Sequence, residues 1–222
     1  MVTVMSDFRV VDIENWTRKE HYKYYTEKLK IEFNMTANVD VKELLEFCHT
    51  GGYKFYPAFI CCVTRAMNRL ENFRMFRNSD GTLCVWDKVV PNYTIFHEDD
   101  HTFSDCWSEY SDDFDEFYQN IVSDMEHYKN VKGIKVKSDQ PANFYCVSCA
   151  PWTAFTGYGS RVTNGEPAFF PIITAGKYEH AGDKINMPVN ITIAHAVADG
   201  YHVGLFFDCL QEEIRNCNLK AI

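Results

Sequence analysis

Between Met187 and Phe207 the pattern of polar and apolar positions changes period. Val189, Ile191 and Ile193 alternate with Asn190 and Thr192, the two-residue repeat of a half-buried strand. From Val203 onward, Phe206, Phe207, Leu210 and Ile214 recur at helical spacing. The change falls within His195-Ala-Val-Ala-Asp199-Gly200. His195 continues the apolar phase, so the strand carries a histidine inward, where a wall can fix its tautomer and limit water. Asp199 and Gly200 then place an acid and a flexible joint at a strand-to-helix corner. One reading is a general base presented by a rigid strand; the other is a core histidine with both nitrogens satisfied.

The remaining pattern predicts further elements in order. Thr17-Arg-Lys-Glu20 reads as a capping box, opening a helix from Arg18 to Lys28. Ile31, Phe33, Met35, Ala37 and Val39 alternate as a strand. Asp40, with Glu43 three residues on, opens a second helix that Gly51-Gly52 closes. Pro57 suits the first turn of a third helix, carrying Phe59, Ile60, Val63, Met67 and Leu70. Gly81 marks a hairpin turn, followed by strands through Val85 and Ile95. Ser111 caps an acidic amphipathic helix with Phe114, Phe117, Ile121 and Met125 on its inner face. Gly133–Gln140 is a polar, Lys-rich loop or lid, and strands resume at Asn143–Cys149 and Ala168–Thr174. Helices come early and strands late, without regular alternation. The pattern therefore predicts an α+β class, a mixed β-sheet faced by helices, in a single domain spanning 1–222.

Composition narrows the function classes. The 222 residues are 46% apolar, with 17 Phe and 13 Tyr, enough for a sizeable core and against disorder. A formal net charge of −9 argues against nucleic acid or an anionic membrane as partner. An anionic cofactor would accordingly need a local cluster of Lys or Arg. No apolar run reaches the length of a membrane span, and MVTVMSDFRV is too short and polar for a signal peptide. Nine cysteines, an odd number mostly within apolar runs, suit a reducing, cytoplasmic setting. The lone Cys146-Val-Ser-Cys149 has no second pair to complete a metal site.

Three more constellations bear on chemistry. Ser148 stands near a strand end before Pro151-Trp152, where a hydroxyl can donate to an oxyanion or merely be tolerated. Lys54 with Tyr56, and Lys177 with Tyr178, each pair a cation with an aromatic, suiting a cofactor with phosphates and a flat base. Arg18 is unfavourable at a helix N-terminus, which suggests a carboxylate partner, and Asp199 is the candidate.

NWTRKEHYKYY, KFYPAF, FRMFR, TIFHEDDHTFSDCWSEYSDDF, VSCAPWTAFT, PIITAGKY and HAVADGYHVG are together similar, in order and spacing, to the trimeric chloramphenicol acetyltransferases. The similarity runs from about Val11 to Leu210. H-x-x-x-D-G by itself is shared with larger relatives that use acyl-CoA or acyl-carrier thioesters; the set of seven is more specific. The resemblance implies a cytoplasmic homotrimer that transfers acetyl from acetyl-CoA to chloramphenicol in a ternary complex, without metal and without an acyl-enzyme. It implies His195 as general base, Asp199 paired with Arg18 to hold the histidine loop, and Ser148, assisted by Thr174 through solvent, as oxyanion donor. By the same resemblance Lys54, Tyr56, Trp152, Lys177 and Tyr178 line the coenzyme A channel. Tyr25, Leu29, Ile31, Phe33, Phe103, Tyr158, Ser160 and Ile172 fall in the acceptor pocket, which faces His195 of a neighbouring chain.

The chain departs from the family pattern at three positions. Ala194 replaces a second histidine, Ser160 replaces an apolar residue of the drug pocket, and Lys135 falls near a usual aromatic. These put the acceptor, rather than the transfer chemistry, in question. An acetyltransferase for another small alcohol and a binding protein on a decayed scaffold are the alternatives. A 2-oxoacid dehydrogenase acyltransferase would need a lipoyl domain and a linker upstream, and the chain opens directly on the catalytic pattern.

Overall fold

The computed structural model describes residues 7–160 and 165–217; Met1–Ser6, the front of the segment tested above for a signal peptide, lies outside them. In chain order the elements are β1 (Phe8–Val10), α1 (Lys19–Glu27), β2 (Glu32–Asp40), α2 (Lys42–Gly51), α3 (Phe55–Asn68), β3 (Met75–Arg77), β4 (Leu83–Trp86) and β5 (Val90–His97). There follow β6 (Thr102–Trp107), α4 (Phe114–Tyr128), β7 (Phe144–Ala150), β8 (Ile172–Gly176), β9 (Glu179–Ala181), β10 (Lys184–Ala194) and α5 (Gly200–Arg215).

The main sheet runs β2-β10-β8-β7-β5-β6, with β9 paired to β10, and a small sheet runs β1-β4-β3. Strands β5, β7 and β8 are mutually parallel and their other pairings are antiparallel, so the sheet is mixed, as the α+β reading requires. One face carries Tyr145, Val147, Ile173, Ala175, Val189, Ile191 and Ile193, all buried. Helices α2, α3 and α5 pack against the sheet through β10, β5 and β2. Ten of the fourteen residues of α3 are buried, including Phe59, Ile60, Val63 and Met67, because it lies between the sheet and the neighbouring helices α2, α4 and α5. Pro57 fits its first turn, where no intrahelical donor is required.

Several expected boundaries shift, each for a local reason. Helix α1 starts at Lys19 with Arg18 as its cap, and the Arg18 side chain makes no cap bond because it is committed to Asp199. Asp40 ends β2 instead of capping α2, yet its Oδ1 accepts from Lys42 N at 3.2 Å and from Ile185 N at 3.1 Å, tying helix start to sheet. Helix α4 is capped by Asp113, which accepts from Glu116 N at 2.8 Å, and not by Ser111. Strand β8 begins at Ile172 rather than Ala168, whose carbonyl instead accepts from Ala194 N at 3.1 Å.

The half-buried reading of β10 also changes. Asn190 and Thr192 are as buried as the isoleucines, because the segment through Tyr158 and Ser160 lies over them. Gly176 lets that cover close down: a Cβ there would stand 2.7 Å from both Phe155 and Pro188. Gly200 stands at the strand-to-helix corner as the first residue of α5, beside Phe33 and Met35 and without a positive φ.

Candidate active site

His195 follows the last residue of β10, and its N–H donates to the Ile31 carbonyl at 3.0 Å. Tyr25 of α1 stacks on the imidazole, with centroids 4.1 Å apart and planes 8° from parallel. Phe33 of β2 meets the ring edge-on at 5.2 Å. Nδ1 is buried and has no hydrogen-bond partner among the described residues. A neutral imidazole that carries its proton there keeps the lone pair on Nε2, the form a general base requires.

Asp199 caps α5. Its Oδ1 accepts from Tyr201 N at 3.1 Å and from His202 Nδ1 at 2.8 Å, while its Oδ2 accepts from Arg18 Nη1. Partial burial alone would raise the carboxyl; the bonds from Arg18 and His202 outweigh it and hold the group well below the usual carboxylate range. Arg18, 8% exposed, also donates from Nη2 to the His195 carbonyl at 3.3 Å. Asp199 therefore does not touch the imidazole; it fixes the arginine that holds the histidine's backbone. His202 was missed from the sequence. Its signal was its position three residues after Asp199, on the same face of a helical turn.

Ser148 on β7 is registered with Thr174 on β8, which is registered with Asn190 on β10, in turn opposite Thr36 on β2. The four side chains share the face opposite the core. Asn190 Nδ2 is held by the Met35 and Tyr158 carbonyls and by Thr36 Oγ1, at 2.8 to 3.1 Å. His195 lies five residues beyond Asn190 along β10, and Ser148 lies two strands across. At ordinary strand spacings the two are roughly 15–20 Å apart in one chain.

The residues expected in the acceptor pocket divide between these two places. Tyr25, Ile31 and Phe33 gather around His195, with Leu29 exposed before them. Phe103 and Ile172 lie on the Ser148 face, and Tyr158 and Ser160 lie in the segment that covers it. Ser160 Oγ stands 3.5 Å from Thr192 Oγ1, whose hydroxyl also meets Asn34.

The cofactor candidates converge at the far end of β8. Phe55 meets Tyr178 at 5.8 Å, and the exposed Lys54 and Lys177 each precede one member of that aromatic pair in the chain. Two exposed cations next in sequence to paired rings fit a polyanion that carries a base. Lys177 N donates to the carbonyl of Thr153 at 2.8 Å, next to Trp152, which is 65% exposed and packs edge-on against Phe96. Tyr56 is turned inward, its hydroxyl donating to the Val147 carbonyl at 3.3 Å, and burial pushes its phenol up.

A cleft of about 420 Å³ between β3, β4 and residues 166–171 contains none of these site residues. Cys146 and Cys149 fall on opposite faces of β7 and are not bonded to one another. No helix among the described residues is long and apolar enough to cross a membrane.

Comparison with known proteins bears directly on this site. The family described as chloramphenicol acetyltransferase matches residues 6–211. A chloramphenicol acetyltransferase of Staphylococcus aureus is 41% identical over 206 residues, 93% of this chain and 95% of that one. A Clostridium perfringens enzyme of the same description is 38% identical over 209 residues, 94% and 95% of the two chains. A solved chloramphenicol acetyltransferase structure shares the fold, with a TM-score of 0.77 at 23% identity, covering 94% of this chain and 98% of that one.

Proposed function

The chain belongs to the chloramphenicol acetyltransferase family, and on that premise we propose how its residues divide the work of acetyl transfer. The reaction is O-acetylation of chloramphenicol, with acetyl-CoA as donor. His195 Nε2 takes the proton from the acceptor hydroxyl as its oxygen attacks the thioester carbonyl. Tyr25 and Phe33 hold the imidazole plane, and the Arg18–Asp199 pair with His202 holds the loop that carries it. Ser148 donates to the oxyanion, assisted through solvent by Thr174. Lys54 and Lys177 face phosphates, while Tyr178 and Trp152 offer flat surfaces to the base.

The observation that carries this division is the separation of His195 from Ser148. Too far apart to act together in one chain, they meet when His195 of one chain faces the Ser148 sheet face of the next, as in a closed trimer. Positioning in a ternary complex then replaces a covalent intermediate. The cytoplasm suits nine cysteines, an odd number mostly within apolar runs. Thiol release from acetyl-CoA in the presence of chloramphenicol tests the reading. Release that requires the drug and is lost in His195→Ala supports it; no drug-dependent release at saturating acetyl-CoA overturns it.

A further inference from the structure

The line of polar side chains through Ser148 continues past it. Thr94 and Ser148 come one residue after Tyr93↔Val147, the last registered pair of β5 and β7, and Thr94 is registered with Asp105 on β6. Asp105, Thr94, Ser148, Thr174, Asn190 and Thr36 thus form one row across six strands, on the face opposite the core. Asp105 is the ionisable member of the row, two strands from Ser148, or roughly 10 Å.

The surroundings of Asp105 leave its charge under-compensated. It is half-buried, and burial raises its carboxyl above the ordinary range, against the opposing pull of a hydrogen bond with Asn92 and of the Lys135 charge. An isolated bridge sets Lys135 opposite it, with Asp105 N donating to the Ile134 carbonyl at 2.6 Å and Val136 N to the Asp105 carbonyl at 3.3 Å. Lys135 is nonetheless exposed, and its attraction is weaker than the burial it opposes. Lys137, the next cation of that loop, is committed to Asp124 at 2.7 Å and lies over the Trp107 ring. Cys146, near the same carboxylate, is pushed up to about 11 by burial and contributes no charge, and Tyr56 is likewise held neutral.

We propose that Asp105 is a specificity-determining residue of the acceptor site, selecting alcohols that carry an ammonium group about 10 Å from the hydroxyl to be acetylated. The inference rests on Ser148 being the oxyanion donor, which places the reacting hydroxyl beside it. The nitro end of chloramphenicol can only strip water from this carboxylate, whereas an ammonium returns a charge-assisted hydrogen bond. Transfer itself is unchanged. The hydroxyl oxygen forms its bond to the acetyl carbon, the carbon–sulfur bond breaks, and the proton passes through His195 to the coenzyme A thiolate. The ammonium group takes no part.

The probe is an analogue of chloramphenicol in which an aminomethyl group replaces the nitro group, assayed beside the drug by thiol release. Wild-type protein should acetylate both. Asp105→Asn, which retains the shape and a partner for Asn92, should lower the ratio of kcat/KM for the analogue to that for chloramphenicol about tenfold or more. Lys135→Gln, at an exposed position, should raise kcat/KM for the analogue by removing a competing cation, and it serves as the test should Asp105→Asn unfold. Equal effects of Asp105→Asn on both acceptors overturn the proposal, as does failure of wild-type protein to acetylate the analogue. Asp105-dependent turnover of the analogue without turnover of chloramphenicol upholds the proposal and overturns the drug reading alone.

Discussion

Tyr25 lies flat against His195, the two rings 4.1 Å apart and 8° from parallel, with the tyrosine on the first helix and the histidine at the end of the last strand. Residues 170 positions apart are thereby made into one surface, and the imidazole cannot swing without losing the stack. An aromatic contact of this kind is worth about 0.5–1.5 kcal/mol beyond area burial. Tyr25→Ala should therefore lower kcat about 2- to 10-fold through a less populated productive ring position. Tyr25→Phe should retain most of kcat. If Phe is as damaging as Ala, the hydroxyl and not the stacked ring is what matters.

On the proposed division of roles His195→Ala removes the general base, and it should lower turnover about 10²–10⁴-fold. Acetyl-CoA affinity should barely change, because Lys54, Lys177 and Tyr178 lie at the far end of β8. Near-normal turnover in steady-state assays would remove His195 from the chemistry.

Ser148→Ala should lower kcat by about 10²–10³ with little change in either KM, the signature of a donor that acts in the transition state. Ser148 is half-buried on a strand whose core contacts come from Tyr145 and Val147, so the melting temperature should hardly move. A defect confined to KM would make Ser148 a binding residue.

The Asp199 carboxyl titrates below its ordinary range in the folded chain because Arg18 and His202 outweigh its partial burial. A depressed carboxylate contributes stability that is fully present above its unfolded-state value and is lost as pH falls toward its folded one. Urea midpoints of wild-type protein and Asp199→Asn should therefore differ most at pH 5–7 and converge toward pH 2. Arg18→Ala combined with Asp199→Ala should be less destabilised than the sum of the single changes, since neither charge is left without its partner. Strict additivity, or a gap that widens in acid, would contradict the coupling.

Much of this was legible in the sequence because local pattern and tertiary demand agree there. The alternation into His195 and the helical repeat after it fall within β10 and α5, and a cation misplaced at a helix start led to Asp199. What stayed hidden depends on register. That Asn190 and Thr192 are buried follows from the 158–160 segment crossing over them, which no two-residue repeat encodes. The row from Asp105 to Thr36 draws on six strands separated by up to 154 residues, and its alignment exists only once they pair. The division of the acceptor residues between the histidine and the serine face is of the same kind.

That division yields the last prediction. If His195 of each chain works on the Ser148 face of the next, His195→Ala and Ser148→Ala chains are each nearly inactive alone but repair one another when mixed. A site is intact when the chain giving the histidine is a Ser148→Ala copy and the chain giving the serine is a His195→Ala copy. Random reassembly of equal amounts into closed rings makes that combination about one quarter of all sites, so the mixture should recover about a quarter of wild-type activity. Mixing without dissociation should recover none, because trimers of a single type keep one defect in every site. Were both groups drawn from the same chain, reassembly would leave every site lacking one of them. The measurement is activity after the two variants are unfolded and refolded together, compared with each refolded alone. Recovery near a quarter requires the shared site, and persistent inactivity with trimers correctly formed would place base and oxyanion donor within one chain.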